Sequence, residues 1–197
     1  MIIGLTGGIA TGKSESAKHF KALGTYTIDA DAISHELTSK GMPVSNELVK
    51  SFGSGILCSD GTLNRKKLAD IIFSDKKAKL SVEKIIHTHI ISRINKIILH
   101  NVNKHNIVID APLLFEVGLN KMCDKVVVVW IPLDIQVKRL VLRDKLNADQ
   151  IKKRIDSQMP IEKKVELADF VIDNSGSKKD LKKSIKDLYK LLTSEQK

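Results

Sequence analysis

A chain of 197 residues has the usual size of one domain, and its 42% hydrophobic residues are enough for an ordinary core. No apolar run approaches the ~20 residues of a transmembrane helix, and the two cysteines form neither a metal-binding pattern nor a disulfide framework. The net charge of +10 is spread along the chain and aromatic residues make up only 4%, which favours a polyphosphate ligand over a dedicated nucleic-acid surface. We therefore expect a cytoplasmic protein with no membrane segment.

The first predicted elements are a strand, a glycine-rich loop and a helix. Residues 2–6 are an apolar run typical of a buried strand, and residues 7–14 match the phosphate-binding pattern G-x-x-x-x-G-K-[ST]. Glycines let successive backbone N–H groups surround phosphate oxygens, and the N-terminus of the following helix favours the anion. We expect Lys13 to reach the β- and γ-phosphates of a nucleotide and the Ser14 hydroxyl to bind Mg²⁺.

Two carboxylates follow the second predicted strand. Residues 26–28 are short and rich in β-formers, and they lead into Asp29 and Asp31. In open α/β sheets the ligand crevice lies at the C-terminal ends of the strands, so both acids are expected near the phosphate loop. One of them is expected to cap the helix that begins near Ala32, and the other to take part in chemistry. The local sequence leaves open which acid has which role.

A helical segment separates these acids from the rest of the predicted sheet. Apolar residues recur at helical intervals over residues 33–105, including a long helix from about residue 78 to residue 101. We interpret this segment as an insertion beside the sheet, where a second substrate binds. The sheet resumes with residues 106–110, which end in Asp110, a candidate Mg²⁺ ligand because nucleotide-binding loops are often paired with an acid after a buried strand. Residues 125–131 and 169–174 are the remaining predicted strands.

Charged helices between the last two predicted strands indicate a mobile lid over the nucleotide site. Arg139 and Arg143 lie four residues apart on a helix over residues 134–144, so they share a face that suits phosphate recognition. An ordinary solvated face is the alternative, which the neighbouring Lys138 and Lys145 favour. A second short charged helix over residues 148–155 follows. Two such helices beside a nucleotide site are typical of a lid.

Taken together, these segments resemble the dephospho-CoA kinase family over nearly the whole chain. The matching segments are residues 5–9, 12–14, 23–24, 28–31, 60–65, 112–116, 143–144, Gln158 and 168–176. Two departures stand out. The family usually has Thr after the loop serine, where this chain has Glu15, and it often has His-Pro where this chain has His87 and Thr88. An extra acid beside the phosphates would weaken nucleotide binding unless its side chain points away.

The resemblance implies an α/β fold of the P-loop NTP hydrolase type, with a parallel sheet flanked by helices. It implies a single domain whose core comprises residues 1–32, 106–133 and 169–197. Residues of about 33–105 would form the helical dephospho-CoA-binding insertion, and residues of about 134–168 the lid. The implied enzyme is a kinase of coenzyme A biosynthesis that transfers phosphate from ATP to the ribose 3′-hydroxyl of dephospho-CoA.

The same resemblance implies a set of site residues. Those assigned to catalysis are Asp31 as the base, Lys13, Arg139 and Arg143. Those assigned to ATP are Gly8, Ile9, Ala10, Thr11, Gly12, Lys13, Ser14 and Glu15, and those assigned to dephospho-CoA are Asp29, Asp31, Arg65 and Leu114. Mg²⁺ bound with ATP would be held by Ser14, with Asp29 or Asp110 as further candidates. We expect a monomer or weak homo-oligomer without nucleic-acid or membrane partners.

Three alternatives compete with this interpretation. A nucleoside or nucleotide kinase on the same scaffold is the nearest one, but residues 112–116 and 173–176 match the dephospho-CoA kinase pattern instead. A regulatory GTPase would need an Asn-Lys-x-Asp segment, and residues 120–124 contain one residue too many. A nucleic-acid-binding ATPase is suggested by the net charge of +10, and strongly salt-dependent binding of RNA or DNA would support it.

Overall fold

A computed structural model describes residues 1–194, which form two compact units. Among the described residues, the first unit contains residues 1–28 and 100–194, and the second is the continuous segment Asp29–Leu99. The insertion was expected over residues of about 33–105. The second unit begins earlier, where a helix follows the second strand without a linker, and it ends at Leu99 within a long helix. Residues 195–197, which the sequence analysis assigned to the core, lie outside the described residues.

The first unit contains both strands and helices, and the second is mainly helical. The elements in chain order are β1 (Ile2–Gly7), α1 (Lys13–Ala22), β2 (Tyr26–Asp29), α2 (Ala30–Leu37), α3 (Pro43–Phe52), α4 (Arg65–Ser74), α5 (Lys76–Asn101), β3 (Ile107–Asp110), β4 (Lys125–Trp130), α6 (Leu133–Asp144), α7 (Ala148–Asp156), α8 (Ile161–Glu166), β5 (Phe170–Asp173) and α9 (Lys178–Ser194). Short 3-10 segments lie at Ser54–Ile56 and Leu119–Met122.

Within residues 1–194 the strands form one five-stranded sheet in the order β2-β3-β1-β4-β5. β1 pairs in parallel with β3 and β4, and β4 pairs in parallel with β5. Val127, Val128 and Val129 of β4 are fully buried, as expected for a parallel strand covered on both faces. The predicted fold class, a parallel sheet flanked by helices, is confirmed.

The core of the first unit lies between the sheet and the helix pair α1 and α9. Phe20 of α1 is fully buried beside Ile3 and Leu5 of β1. Leu181 and Ile185 of α9 pack in the same cluster. This packing fixes α1, and therefore the loop that precedes it, against the sheet.

The second unit is built on the long helix α5. Val82, Ile90, Ile94 and Ile98 of α5 are buried at helical spacing. Thr88, at the departure from the family pattern, lies inside this uninterrupted helix. Polar contacts also join the unit's helices: His89 Nε2 lies 2.7 Å from Glu47 Oε2, and Arg93 Nη2 lies 3.6 Å from Glu36 Oε1. Asn64 caps α4 by accepting from the Lys67 N–H at 3.0 Å.

No helix among residues 1–194 has both the length and the apolarity needed to cross a membrane.

The two cysteines differ in burial, which predicts different reactivity. Burial, with the nearby charges of Asp124 and Asp169, raises the pKa of the Cys123 thiol to about 12, whereas Cys58 is exposed. Because the thiolate is the reactive form, Cys123 should stay protonated and inert at pH 8. We expect a disulfide reagent to titrate Cys58 alone in the native protein and both thiols after denaturation. Rapid reaction of Cys123 in the native protein would contradict this packing.

Candidate active site

The phosphate loop lies between Gly7, the last residue of β1, and Lys13, the first residue of α1. A Cβ on Gly7 would lie 2.6 Å from the Val129 carbonyl oxygen, and a Cβ on Gly12 would lie 2.0 Å from Nδ2 of Asn174. Gly12 also has a positive φ of 99°. Both positions therefore require glycine, because any other residue would displace backbone or a buried amide.

One non-glycine residue of the loop is strained. Ala10 has a φ of 61°, in the left-handed region, which costs an L-residue roughly 1–2 kcal/mol. Such a conformation persists only where neighbouring contacts enforce it. The loop therefore depends on contacts from other parts of the fold.

Three side-chain amides supply contacts of this kind. Nδ2 of Asn174 donates to the Thr11 carbonyl oxygen at 2.7 Å, and Nε2 of Gln136 donates to the Ile9 carbonyl oxygen at 2.7 Å. The Ile9 N–H donates to Oε1 of Gln158 at 3.1 Å. The sequence analysis gave none of the three a role. Asn174 and Gln158 lie in segments that match the family pattern, whereas no sequence feature distinguished Gln136.

Lys13 forms a salt bridge with Asp110, and their side chains are only 14% and 9% exposed. Lys13 begins α1, and Asp110 ends β3 opposite Leu5 in the neighbouring strand β1. The acid expected from the sequence thus lies beside the phosphate loop. An ammonium has three N–H donors, so Lys13 can contact Asp110 and phosphate oxygens together.

Ser14 and Glu15 occupy the first turn of α1, where backbone N–H groups point toward the loop. The Ser14 residue is exposed. The Glu15 carboxylate lies 3.4 Å from Nζ of Lys18 and 3.8 Å from Nε2 of His19, both farther along the helix. The Lys18 ammonium therefore offsets part of the charge of the acid that replaces the family's usual threonine.

The two arginines of α6 have different partners. Nη2 of Arg139 donates to the Asn174 carbonyl oxygen at 2.8 Å, and its Nη1 lies 4.0 Å from the position that a Cβ on Gly12 would occupy. The Arg139 guanidinium thus lies beside the phosphate loop. The Arg143 guanidinium instead binds Asp144 through two hydrogen bonds of 2.7 and 2.9 Å.

Asp144 also accepts from Nη1 of Arg154 at 2.9 Å, so it joins α6 to α7. The hydrogen bond from Arg143 lowers the pKa of the Asp144 carboxyl, and the two arginine charges add to this effect. Asp144 is therefore ionised near neutral pH and holds Arg143 in place.

The loop after β3 is anchored by a buried lysine that the sequence analysis missed. Lys164 of α8 is fully buried, and its Nζ donates to the Pro112 carbonyl oxygen at 2.5 Å and pairs with Glu116 at 2.9 Å. Leu114 is also fully buried and fills the space beside Gly4. The Leu114 side chain thus packs in the core, and its contact with dephospho-CoA stays a prediction.

In the second unit, the structure resolves which acid caps the helix. Asp29 is the N-cap of α2, and its Oδ1 accepts from the Ala32 N–H at 2.9 Å. The helix begins at Ala30, slightly earlier than expected, so the exposed Asp31 lies in its first turn. Arg65 begins α4, and its Nη2 donates to Oγ1 of Thr38 at 3.1 Å.

The donor set at the loop fits Mg²⁺ better than a metal bound entirely by protein. Among residues 1–194, no group of three or more His, Cys, Asp or Glu side chains is arranged to hold a metal ion. Mg²⁺ takes hard oxygen ligands, and with nucleotides it needs only one or two from the protein. The Ser14 hydroxyl and the Asp110 carboxylate, at the start of α1 and the end of β3, have that chemistry.

Comparisons with known proteins agree with this geometry. A family model described as dephospho-CoA kinase matches residues 1–180. The dephospho-CoA kinase of Aquifex aeolicus is 42% identical over 191 residues, covering 97% of each chain, and that of Bacillus licheniformis is 39% identical over 192 residues, covering 95% of this chain and 94% of the relative. The solved dephospho-CoA kinase of Campylobacter jejuni superimposes with a TM-score of 0.73 at 29% identity, covering 100% of this chain and 98% of that one. The chain belongs to the dephospho-CoA kinase family.

Proposed function

We propose that this protein transfers the γ-phosphoryl group of ATP to the ribose 3′-hydroxyl of dephospho-CoA, giving coenzyme A and ADP in the last step of coenzyme A biosynthesis. The observation that carries the proposal is the formed phosphate loop, with Lys13 held against Asp110 at the sheet edge, in a chain of this family. Phosphoryl transfer requires cradled phosphates, neutralised charge and an oriented nucleophile.

The loop residues 8–15 would bind the triphosphate of ATP. Their backbone N–H groups and the N-terminus of α1 form an anion site, and Lys13 adds a full positive charge. As the bond from the γ-phosphorus to the bridging oxygen breaks, negative charge grows on the departing ADP. Lys13 would stabilise that charge without reorganising, because Asp110 already holds it in position.

Mg²⁺ bound with ATP would supply further neutralisation of the phosphate oxygens. Ser14 would hold the ion through its hydroxyl. Asp110 is a further candidate ligand, and its position beside the loop supports that role. Asp29 is a weaker candidate, since its Oδ1 already caps α2.

We assign the acceptor to the second unit, the helical segment Asp29–Leu99. Asp31 would accept the proton of the ribose 3′-hydroxyl while that oxygen attacks the γ-phosphorus. Asp29 would help to orient the site, and the exposed Arg65 would hold an anionic group of dephospho-CoA. Helices α6 to α8, in residues 134–168, would form the lid that excludes water during transfer.

The lid assignment predicts that Arg139 and Arg143 act on the transferring phosphate. Arg139→Lys and Arg143→Lys keep the charge but lose the planar fork of donors, so each should lower kcat by about tenfold or more. Arg139→Lys should have the larger effect on ATP affinity, because Arg139 lies beside the loop. Steady-state kinetics with ATP and dephospho-CoA measure both effects.

Lys138→Gln provides the matched control on the same helix. Lys138 is 73% exposed and pairs with Asp134, so its loss should leave kcat unchanged. If both arginine variants kept the parental kcat, α6 would be an ordinary solvated face and the lid assignment would be wrong.

A coupled ADP-release assay tests the proposed reaction. Dephospho-CoA should support ADP release, whereas a panel of nucleosides and nucleotides should not rise above the ATP-only background. Efficient turnover of a nucleoside or nucleotide, with none for dephospho-CoA, would identify the alternative kinase on the same scaffold.

The proposal also covers partners and location. Two polyphosphate substrates are anionic partners that account for the net charge of +10, so we propose no nucleic-acid partner. We propose a cytoplasmic enzyme that is a monomer or weak homo-oligomer. Sedimentation at assay concentrations measures its association state.

A further inference from the structure

We propose that Gln136 and Gln158 are positioning residues that hold Ile9 on both of its backbone polar groups and so fix the phosphate loop in its nucleotide-binding shape. The inference rests on the proposed ATP-dependent transfer and names residues that control its first step. Neither glutamine belongs to the loop, and they are separated from each other by most of the proposed lid.

Gln136 is the donor of the pair. It lies in the first turns of α6, is only 3% exposed, and points Nε2 at the Ile9 carbonyl oxygen, 2.7 Å away. The same nitrogen lies 3.0 Å from the position that a Cβ on Gly8 would occupy, so it packs against the backbone of the loop. A buried amide of this kind costs free energy unless it is hydrogen-bonded, and the loop backbone meets that requirement.

Gln158 is the acceptor of the pair. It lies between α7 and α8, and its Oε1 accepts from the Ile9 N–H at 3.1 Å. The next residue, Met159, donates its N–H to Oε1 of Glu116 at 2.9 Å, and Glu116 in turn pairs with the fully buried Lys164 at 2.9 Å. Gln158 is therefore held by a connected polar network and presents its amide from a fixed position.

The strained residue Ala10 follows Ile9 directly and explains why the loop needs both contacts. With a φ of 61°, Ala10 would relax if its neighbours were free to turn. Gln158 holds the peptide group before the Ile9 Cα and Gln136 holds the one after it, while Asn174 holds the Thr11 carbonyl. Ala10 is thereby fixed from both sides, and the loop keeps one shape before ATP arrives. Preorganisation of this kind favours binding and transfer together.

The two contacts also join the loop to both ends of the proposed lid. Gln136 lies near the start of residues 134–168 and Gln158 near their end. Between them, Asp144 binds Arg143 and Arg154 and links α6 to α7 by contacts that do not include the loop. The base of the lid is thus fixed on Ile9.

The test replaces each glutamine with methionine, which keeps an unbranched side chain of similar length and removes the amide. Gln136→Met and Gln158→Met should each raise the Kd for Mg·ATP about three- to tenfold and lower kcat by a similar factor. The KM for dephospho-CoA should stay within about twofold, because the acceptor is assigned to the other unit. Gln150→Met is the matched control, since Gln150 lies in the same lid and contacts Asn147 at the cap of α7.

Glutamate variants separate positioning from electrostatic repulsion. Gln158→Glu retains an oxygen that accepts from the Ile9 N–H, whereas Gln136→Glu places a carboxylate against the Ile9 carbonyl oxygen. Both add one negative charge near the phosphates, so repulsion alone would weaken ATP binding in both variants. We expect Gln136→Glu to bind ATP at least about tenfold more weakly than Gln158→Glu.

Direct titration with Mg·ATP keeps this inference distinct from the proposed function. Failure of the parental protein to phosphorylate dephospho-CoA would overturn the function and leave the ATP affinities interpretable. Unchanged ATP affinity in both methionine variants would overturn the positioning role, as would equal losses in the two glutamate variants. A lower melting temperature with unchanged ATP affinity would show that the contacts serve stability alone.

Discussion

Lys13→Ala is expected to reduce phosphoryl transfer by about 10²–10³-fold or more while the protein stays folded. Lys13 lies at the first position of α1, against the loop, and its ammonium is held by Asp110 in a site where both side chains are mostly buried. Its charge is therefore poorly screened by water and acts strongly on the phosphates. Steady-state turnover with ATP and dephospho-CoA measures the loss.

Controls separate catalysis from stability in this variant. Removing one member of a partly buried pair leaves the other charge without its counterion, which destabilises the fold. Lys13→Gln retains an N–H donor toward Asp110 and should lose activity to a similar extent with less destabilisation. Lys21→Ala, at an exposed position on the same helix, should keep full activity. Parental turnover by a folded Lys13→Ala protein would refute the role of Lys13.

Asp31→Asn should lower kcat by roughly 10²–10⁴-fold, the usual contribution of general-base catalysis. A sugar hydroxyl is a poor acid, so a carboxylate contributes by orienting the oxygen and accepting its proton as the transition state forms. Asp31 is exposed in the first turn of α2, in the unit to which we assign the acceptor. The Kd for ATP should be nearly unchanged, because the phosphate loop is untouched.

Asp29→Asn is the matched control, since it removes the same charge two residues away. The Asp29 side chain caps α2, and asparagine caps a helix about as well as aspartate. The variant should therefore fold normally and lose much less of its kcat. That smaller loss would come only from altered positioning at the site or from weaker metal binding. A large loss of kcat in Asp29→Asn, with most activity retained in Asp31→Asn, would reverse the assignment of the base.

Local sequence predicted the elements whose formation depends on neighbours along the chain. The phosphate loop was predictable because its glycines, Lys13 and the flanking strand and helix occupy one continuous segment. The strand β4 was predictable from its run of β-branched residues.

The contacts that shape the loop depend on residues far apart in the chain. Gln136 and Gln158 bind Ile9 across most of the sequence, and neither has a periodicity or spacing that distinguishes it from a surface glutamine. Lys164 resembles any other lysine of a charged helix, but it is fully buried because Glu116 and the Pro112 carbonyl satisfy it. Such roles follow from tertiary packing alone.

The hydrogen-bond partners of the two α6 arginines also could not be predicted from the local sequence. Their spacing predicted a shared face correctly, because residues four apart on a helix point the same way. It did not predict that Arg139 binds the Asn174 carbonyl or that Asp144, adjacent in sequence, binds Arg143. The first partner comes from the end of β5, and the second is a chain neighbour whose rotamer the sequence does not specify.

The position of the transferred phosphate tests the central claim most directly. The protein is incubated with Mg·ATP and dephospho-CoA, and the product is compared by chromatography with authentic coenzyme A and its 2′-phosphate isomer. The account predicts coenzyme A in amounts equal to the ADP released, and no product when the acceptor lacks its 3′-hydroxyl. ADP release without coenzyme A, or phosphate on any other hydroxyl, would contradict it.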